Sequence, residues 1–313
     1  MILDAVTEMV TPAASQVPTT GELVLDHVAH FVPHVDAASS ALEKLGFTLT
    51  PFSAQSHRVE PGGPLVPAGT GNRCMMLQHG YLEFLTPTGD TPIANQLRTA
   101  IKRYTGAHLV AFGTAAPETD HARLAESGFA PLDPVALQRG IDTEHGRETA
   151  RFTVVRVPPG KMPEGRIQFC QQHTPELLWQ PRWMEHANRA AGLAGVLLGV
   201  ADAQEAARRF ARYTGLLAQV SGSVWRIDTT RGYLLFLDRE TLHRRFDVVA
   251  PSLPWIAGTV LKSEDIDETG DTLRRSGVPV HVLGSRRLLV KLPAALGGVI
   301  VFEPMESGAL NFD

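Results

Sequence analysis

Only two cysteines, Cys74 and Cys170, occur among the 313 residues, so no disulfide framework holds this chain together. A reducing compartment suits such a sequence, and the cytoplasm is the expected location. Runs of lysine or arginine are absent and the net charge is only −4, which argues against a nucleic-acid or anionic-membrane partner. No stretch approaches the roughly 20 apolar residues of a membrane span. The opening MILDAVTEMVTPAASQVPTTGE lacks a basic region followed by a long apolar core. Residues 1–22 therefore read as a flexible lead-in, not a signal peptide.

What is present is an ordinary globular composition, 43% hydrophobic and 20% charged. Its 28 glycines and 22 prolines imply many turns, and disorder and collagen are both excluded. The length suggests about two domains, with ample chain for a proper core.

A weak internal repeat organises the chain. Four times a short apolar strand leads into an Ala- or charge-rich helix that ends in Gly and an apolar residue. The first unit reads LDHVAHFV, DAASSALEKL, Gly46-Phe47, and the second AHLVAFGT, PETDHARLAES, Gly128-Phe129. The third reads LAGVLLGV, DAQEAARRFARYT, Gly215-Leu216, and the fourth WIAGTVLK, EDIDETGDTLRRS, Gly277-Val278. Asp36 and Asp202 are candidate N-caps, Pro117 suits a first helical turn, and the glycines suit left-handed helix ends. Each unit closes on a glycine-led strand: Gly80-YLEFL, Gly165-RIQFC, Gly232-YLLFL and Gly298-VIVFE. Each therefore reads β-α-β-β-β, which makes the fold class α+β with four units paired as two halves. Helices are also expected over PIANQLRTAIKRY and ELLWQPRWMEHANRA, joining unit one to two and unit two to three.

Of the 12 histidines, ten lie at or before His186, which points to the first half for metal or acid–base work. Aligning the units on their first strands sets His27 opposite His108; aligning them on their last strands sets Glu83 opposite Gln168. The spacings agree, with 56 residues from His27 to Glu83 and 60 from His108 to Gln168. The matching positions in units three and four are Gly195, Leu235, Ala257 and Ile300, none of which can ligate a metal. A Glu and a His on otherwise apolar sheet faces need a reason, because an unpaired buried charge is costly. A metal ion supplies one: two imidazoles, a carboxylate and an amide oxygen suit Zn²⁺, Ni²⁺, Co²⁺, Mn²⁺ or Fe²⁺.

The repeat, with a His near the start of its first strand and a Glu in its last, resembles the vicinal oxygen chelate superfamily. That superfamily includes glyoxalase I, extradiol dioxygenases, fosfomycin-resistance proteins and methylmalonyl-CoA epimerase. His57, the stretch Gly69-Thr70-Gly71-Asn72 and the strand Tyr81-Leu82-Glu83 resemble more closely its glyoxalase-like domain group. The fold resemblance covers about residues 24–304 and the sharper motif about 25–175. It implies paired βαβββ modules, each pair forming a cupped, mostly antiparallel sheet, with one divalent metal held by His27, Glu83, His108 and Gln168. Residues 23–190 would be the module pair carrying the site, and 191–313 a second, degenerate pair serving as scaffold or lid.

Gln168 departs from the second Glu of glyoxalase I-like members, and an amide cannot act as a general base at neutral pH. Glu144 or His145, in the loop GIDTEHGRET, would have to stand in beside Glu83 as a catalytic group. His57, Thr70 and Asn72 are the expected substrate contacts, with the Gly-Thr-Gly-Asn segment taken as a tight turn. The function expected is a metal-dependent lyase or isomerase that stabilises an enediolate on a small, vicinally oxygenated substrate. Two alternatives stand beside it: an Fe²⁺ dioxygenase and a non-catalytic cup that sequesters a small molecule. The partner in each case is a small molecule, bound by a monomer or a homodimer.

Overall fold

The four units form in the expected order, and the computed structural model describes residues 16–58, 63–284, 286–308 and 310. Unit one comprises β1 (Val24–Phe31), α1 (Val35–Lys44), β2 (Ser53–Arg58), β3 (Leu65–Met76) and β4 (Tyr81–Pro87). The linking helix α2 (Pro92–Arg103) leads to unit two: β5 (Gly106–Gly113), α3 (Pro117–Glu126), β6 (Val135–Thr143), β7 (Gly146–Arg156) and β8 (Arg166–Gln172). A short α4 (Pro175–Leu178) precedes unit three: β9 (Ala190–Gly199), α5 (Ala203–Thr214), β10 (Ala218–Ser221), β11 (Val224–Asp228) and β12 (Tyr233–Leu237). After α6 (Arg239–Phe246) comes unit four: β13 (Trp255–Ser263), α7 (Ile266–Arg275), β14 (His281–Leu283), β15 (Arg287–Lys291) and β16 (Val299–Pro304).

Local chemistry explains the repeat. Gly46, Gly128, Gly215 and Gly277 follow the four unit helices with φ between 73° and 86°, the left-handed geometry that lets a chain leave a helix. Asp202 caps α5 by accepting from the Glu205 N–H, and Pro117 opens α3. Asp36 lies inside the first turn of α1; the cap position there is His34, without a side-chain bond. The glycines before the last strands answer to space. A Cβ at Gly80, Gly165 or Gly298 would press on the carbonyl of Asp26, His108 or Ala257, and at Gly232 on Leu25. The segment expected as one helix over ELLWQPRWMEHANRA forms only α4 and a 3-10 turn at Pro181–Trp183, because Pro181 cannot continue an α-helix.

In each half the two first strands pair antiparallel, β1 with β5 and β9 with β13, and each last strand lies parallel to its own first strand. The halves join through the β5–β13 pairing, Ala107 opposite Ile256, and through parallel bridges from Val24 to Arg231 and from His79 to Gly192. The helix-bearing faces of all four units share one core, in which Phe47 stacks on Phe302 and Phe169 on Tyr213. The opposite face of the second half is apolar, with Leu197, Leu235, Leu289 and Val301 packed with Leu242 and Phe246 of α6. The same face of the first half carries the polar residues. Of the lead-in, residues 1–15 lie outside the described residues, whereas Gln16 is buried and bonds the Gln78 carbonyl and the Gly80 N–H. Among the described residues no helix is long and apolar enough to cross a membrane.

Candidate functional site

Two β-bulges shape the cup of the first half. Leu25 pairs with Phe112 and His27 with Ala111, leaving Asp26 unpaired; Ala29 pairs with Leu109 and His30 with Ala107, leaving His108 unpaired. A bulge can turn two successive side chains to one face. The slips recur between β9 and β13, where Ala194 and Ala257 are skipped. The counterpart of His108 is therefore Asp26, and His27, opposite Tyr81, corresponds to Leu109, Gly195 and Gly258. The spacing alignment of His27 with His108 is one residue out, and it named Ile300 where the cup-facing residue is Val301.

His27 donates through Nδ1 to Asp26 at 2.5 Å and stacks on Tyr81, which leaves Nε2 without a hydrogen bond among the described residues. Gln172 steadies the Asp26 carboxylate through its amide, at 3.2 and 3.3 Å. Glu83, 8% exposed, accepts through Oε1 from the Asn72 and Gln55 amides, and Thr70 in turn donates to Gln55 at 2.7 Å. Among the described residues its Oε2 takes no hydrogen bond, and it is not fully buried. No cation sits within ion-pair distance of Glu83 among the described residues.

His108 lies between Tyr104, 4.0 Å away, and Phe31. Burial pushes its pKa down to about 4, so the ring is neutral. Its Nε2 must donate to the Tyr104 carbonyl at 2.8 Å, which puts the lone pair on Nδ1. Gln168 spends its amide oxygen on the Arg156 guanidinium at 3.2 Å. A metal-bound histidine often donates its other nitrogen to a carboxylate or carbonyl, and both histidines are held that way. The ligand shell itself does not assemble. Among the described residues no three His, Cys, Asp or Glu side chains lie close enough to hold an ion. In this arrangement the expected four ligands do not fit a metal, and a guanidinium holds the only oxygen of the Gln168 amide.

The Gly69–Asn72 segment lies inside β3 and is not a turn: Gly69 takes φ 68° within the strand, and Gly71 has the Phe52 ring packed against it. Thr70 and Asn72 consequently serve Glu83. His57 lies in β2 opposite Val66, with its side chain outside the described residues. Glu144 and His145 form the exposed tip of the β6–β7 hairpin. Five residues along β6 separate that tip from Arg139, about 16 Å, and no bond ties either residue to Glu83.

Arginine is the feature that composition and runs did not reveal. Arg139, Arg156 and Arg166 stand on successive strands of unit two, on the cup face, and none has a carboxylate within ion-pair distance among the described residues. Arg156 is depressed to about 10 by burial and by the charge of Arg166. Side-chain parity with Val154 and Gln168 is the sequence signal that would have placed Arg156 and Arg166. Acidic groups thus come from unit one and guanidiniums from unit two.

The glyoxalase-like domain family model matches residues 25–214. A comparison with curated protein sequences finds no significant match. Among solved structures, a hypothetical protein from Staphylococcus aureus is 10% identical with a TM-score of 0.62, covering 90% of this chain and 100% of its own. A mutant of 4-hydroxymandelate synthase from Streptomyces coelicolor is 13% identical with a TM-score of 0.53, covering 93% and 94%. A catechol 2,3-dioxygenase is 12% identical with a TM-score of 0.52, covering 90% and 87%. These likenesses are of fold, and with the repeat and the family match they lead to one conclusion: the chain belongs to the glyoxalase-like domain family of the vicinal oxygen chelate superfamily.

Proposed function

We propose that the chain is a glyoxalase-like lyase or isomerase in which Glu83 and His27 move a proton on a small oxygenated substrate. One observation carries this reading: Glu83 is fixed on one oxygen by two amides, while its other oxygen has no cation within ion-pair distance among the described residues. Two amide donors on one oxygen fix the direction in which the other points, as a general base requires. His27 is the second group, with Asp26 fixing the tautomer that presents the Nε2 lone pair. Glu83 takes the proton from carbon next to a carbonyl, giving an enediolate, and His27 relays a proton between the two oxygens. Returning the first proton to the neighbouring carbon completes an isomerisation; expelling a leaving group completes a lyase reaction.

The likeness in fold to a catechol dioxygenase and to hydroxymandelate synthase supports a second reading, an Fe²⁺ dioxygenase. That chemistry needs two histidines and a carboxylate on one face of an ion, so His27, Glu83 and His108 would have to converge. Incubation in D₂O with a panel of small 2-oxo acids and α-hydroxy carbonyl compounds separates the readings. Deuterium incorporation seen by proton NMR with wild type, and lost in Glu83→Gln, is the expected result. Oxygen uptake without exchange would overturn it in favour of the dioxygenase, and binding without exchange in favour of a sequestering cup.

A further inference from the structure

A cleft of about 280 Å³ opens between β2, β3, β6 and the segment around α4. Its lining combines apolar groups, Met76, Leu177 and Trp183, with polar ones, Asn72, Cys74 and Arg139. Asn72 is the residue that grips Glu83, so the cleft adjoins the proposed base.

Arg139 is half-buried and has no carboxylate within ion-pair distance among the described residues. Among the described residues its guanidinium reaches the Cys74 sulfur, at 3.8 and 4.0 Å, and the Phe152 ring, whose centre is 5.9 Å away. Its Nε is buried without a partner. Burial pushes the Cys74 thiol up to about 11, so the sulfur is neutral at pH 7 and cannot balance the charge. Glu83 acts on Arg139 electrostatically but lies outside ion-pair distance, and its Oε1 is taken by two amides. Arg147 folds back over Gly140, where a Cβ would lie 2.6 Å from its Nε, and brings a second guanidinium to the cleft wall. Asp142 also lines the cleft and forms no ion pair with either arginine among the described residues. A guanidinium withdrawn from water without an anion is costly, and its planar fork matches an oxyanion.

We infer that this cleft binds a small molecule bearing an oxyanion, a carboxylate or a phosphate ester, through a two-pronged contact from Arg139. The apolar remainder of that molecule packs against Met76 and Trp183. The inference rests on the reading of the cup as a substrate site and gives that substrate its chemical class. The cleft is at the small end for ligand sites, which suits a metabolite-sized acid and not a peptide.

Calorimetry with phenylacetate, phenylacetamide and inorganic phosphate tests it, together with NMR of the arginine Nε–H groups. Wild type is expected to bind phenylacetate or phosphate saturably, to ignore the neutral amide, and to shift one arginine resonance that Arg139→Gln removes. Arg139→Gln is expected to weaken the anion by about tenfold or more, because a charge-assisted pair is lost. Its thermal midpoint should hold or rise, since a half-buried charge without an ion-pair partner has been removed. Arg139→Lys keeps the charge without the fork and should fall between the two. The exposed Arg208→Gln should leave binding unchanged. Phenylacetate alone assigns the carboxylate and phosphate alone the ester. Equal affinity for phenylacetamide, equal affinity in Arg139→Gln, or no anion bound up to the solubility limit would overturn the inference. Anion binding through Arg139 without proton exchange would keep the inference and sink the enzyme reading; exchange indifferent to Arg139 would do the reverse.

Discussion

Asp26 and His27 are neighbours in sequence, yet their side chains stand on one sheet face and meet at 2.5 Å. A regular strand would send them to opposite faces; the unpaired position of Asp26 in the β1–β5 ladder is what joins them. The bulge thus makes an oriented imidazole out of two adjacent residues. Replacing Asp26 with Asn removes the carboxylate that selects the tautomer. The expected outcome is a fall in proton exchange of about 10- to 100-fold with the fold intact, and a mixed His27 tautomer by ¹⁵N NMR. Unchanged exchange would show that Asp26 does not act through His27.

The buried histidines set a pH window for stability. Burial lowers His30 and His108 from the ordinary 6.5 to about 4, and lowers His186, which also bonds the Met76 carbonyl and the Thr48 N–H. Between those values the unfolded chain binds more protons than the folded one, so stability rises with pH. The contribution is complete above 6.5 and is lost as pH falls towards 4. Thermal midpoints should decline through that window, and His30→Leu should flatten the decline.

The apolar face of the second half predicts a separation of stability from function. Phe246→Ala opens a void where α6 packs on that sheet and should cost about 3–5 kcal/mol in denaturant unfolding. Proton exchange at 20 °C or below, where the variant stays folded, should match wild type. A parallel loss of exchange would tie the second half to the chemistry.

Gly165 has an ordinary φ, yet a Cβ there would strike the His108 carbonyl. Gly165→Ala should therefore destabilise by about 1–3 kcal/mol through overpacking, measured as a shift in denaturant midpoint. A neutral result would mean that β8 can move away from β5.

Because the four expected ligands do not assemble, exchange is predicted to survive dialysis against a chelator. Loss of exchange, with recovery on adding Zn²⁺, Ni²⁺, Co²⁺, Mn²⁺ or Fe²⁺, would restore His27, Glu83, His108 and Gln168 as ligands. Elemental analysis of untagged protein purified without chelator reads the same question independently of turnover.

Much of the architecture was legible because it rests on local chemistry. The helix-closing glycines and the glycines leading the last strands recur in all four units, and each answers to a left-handed turn or to a close backbone approach. Glu83 was legible too, as a charge alternating with apolar neighbours. The site's geometry was not, since a bulge adds one residue without leaving a mark in spacing; that is how His108 came to be matched with His27. The guanidiniums were hidden for another reason. Arg139, Arg156 and Arg166 lie on three different strands, far apart in sequence, and the fold is what brings them to the cup face. Pro181 shows the opposite failure, a plain local signal outweighed by a helical composition.

The most direct test is deuterium incorporation into the responsive substrate by wild type, Glu83→Asp and Glu83→Gln, with folding checked by thermal melts. The account predicts a loss of about 10²- to 10⁴-fold in Glu83→Gln and partial retention in Glu83→Asp, with both variants folded. Exchange at the wild-type rate in folded Glu83→Gln would contradict it.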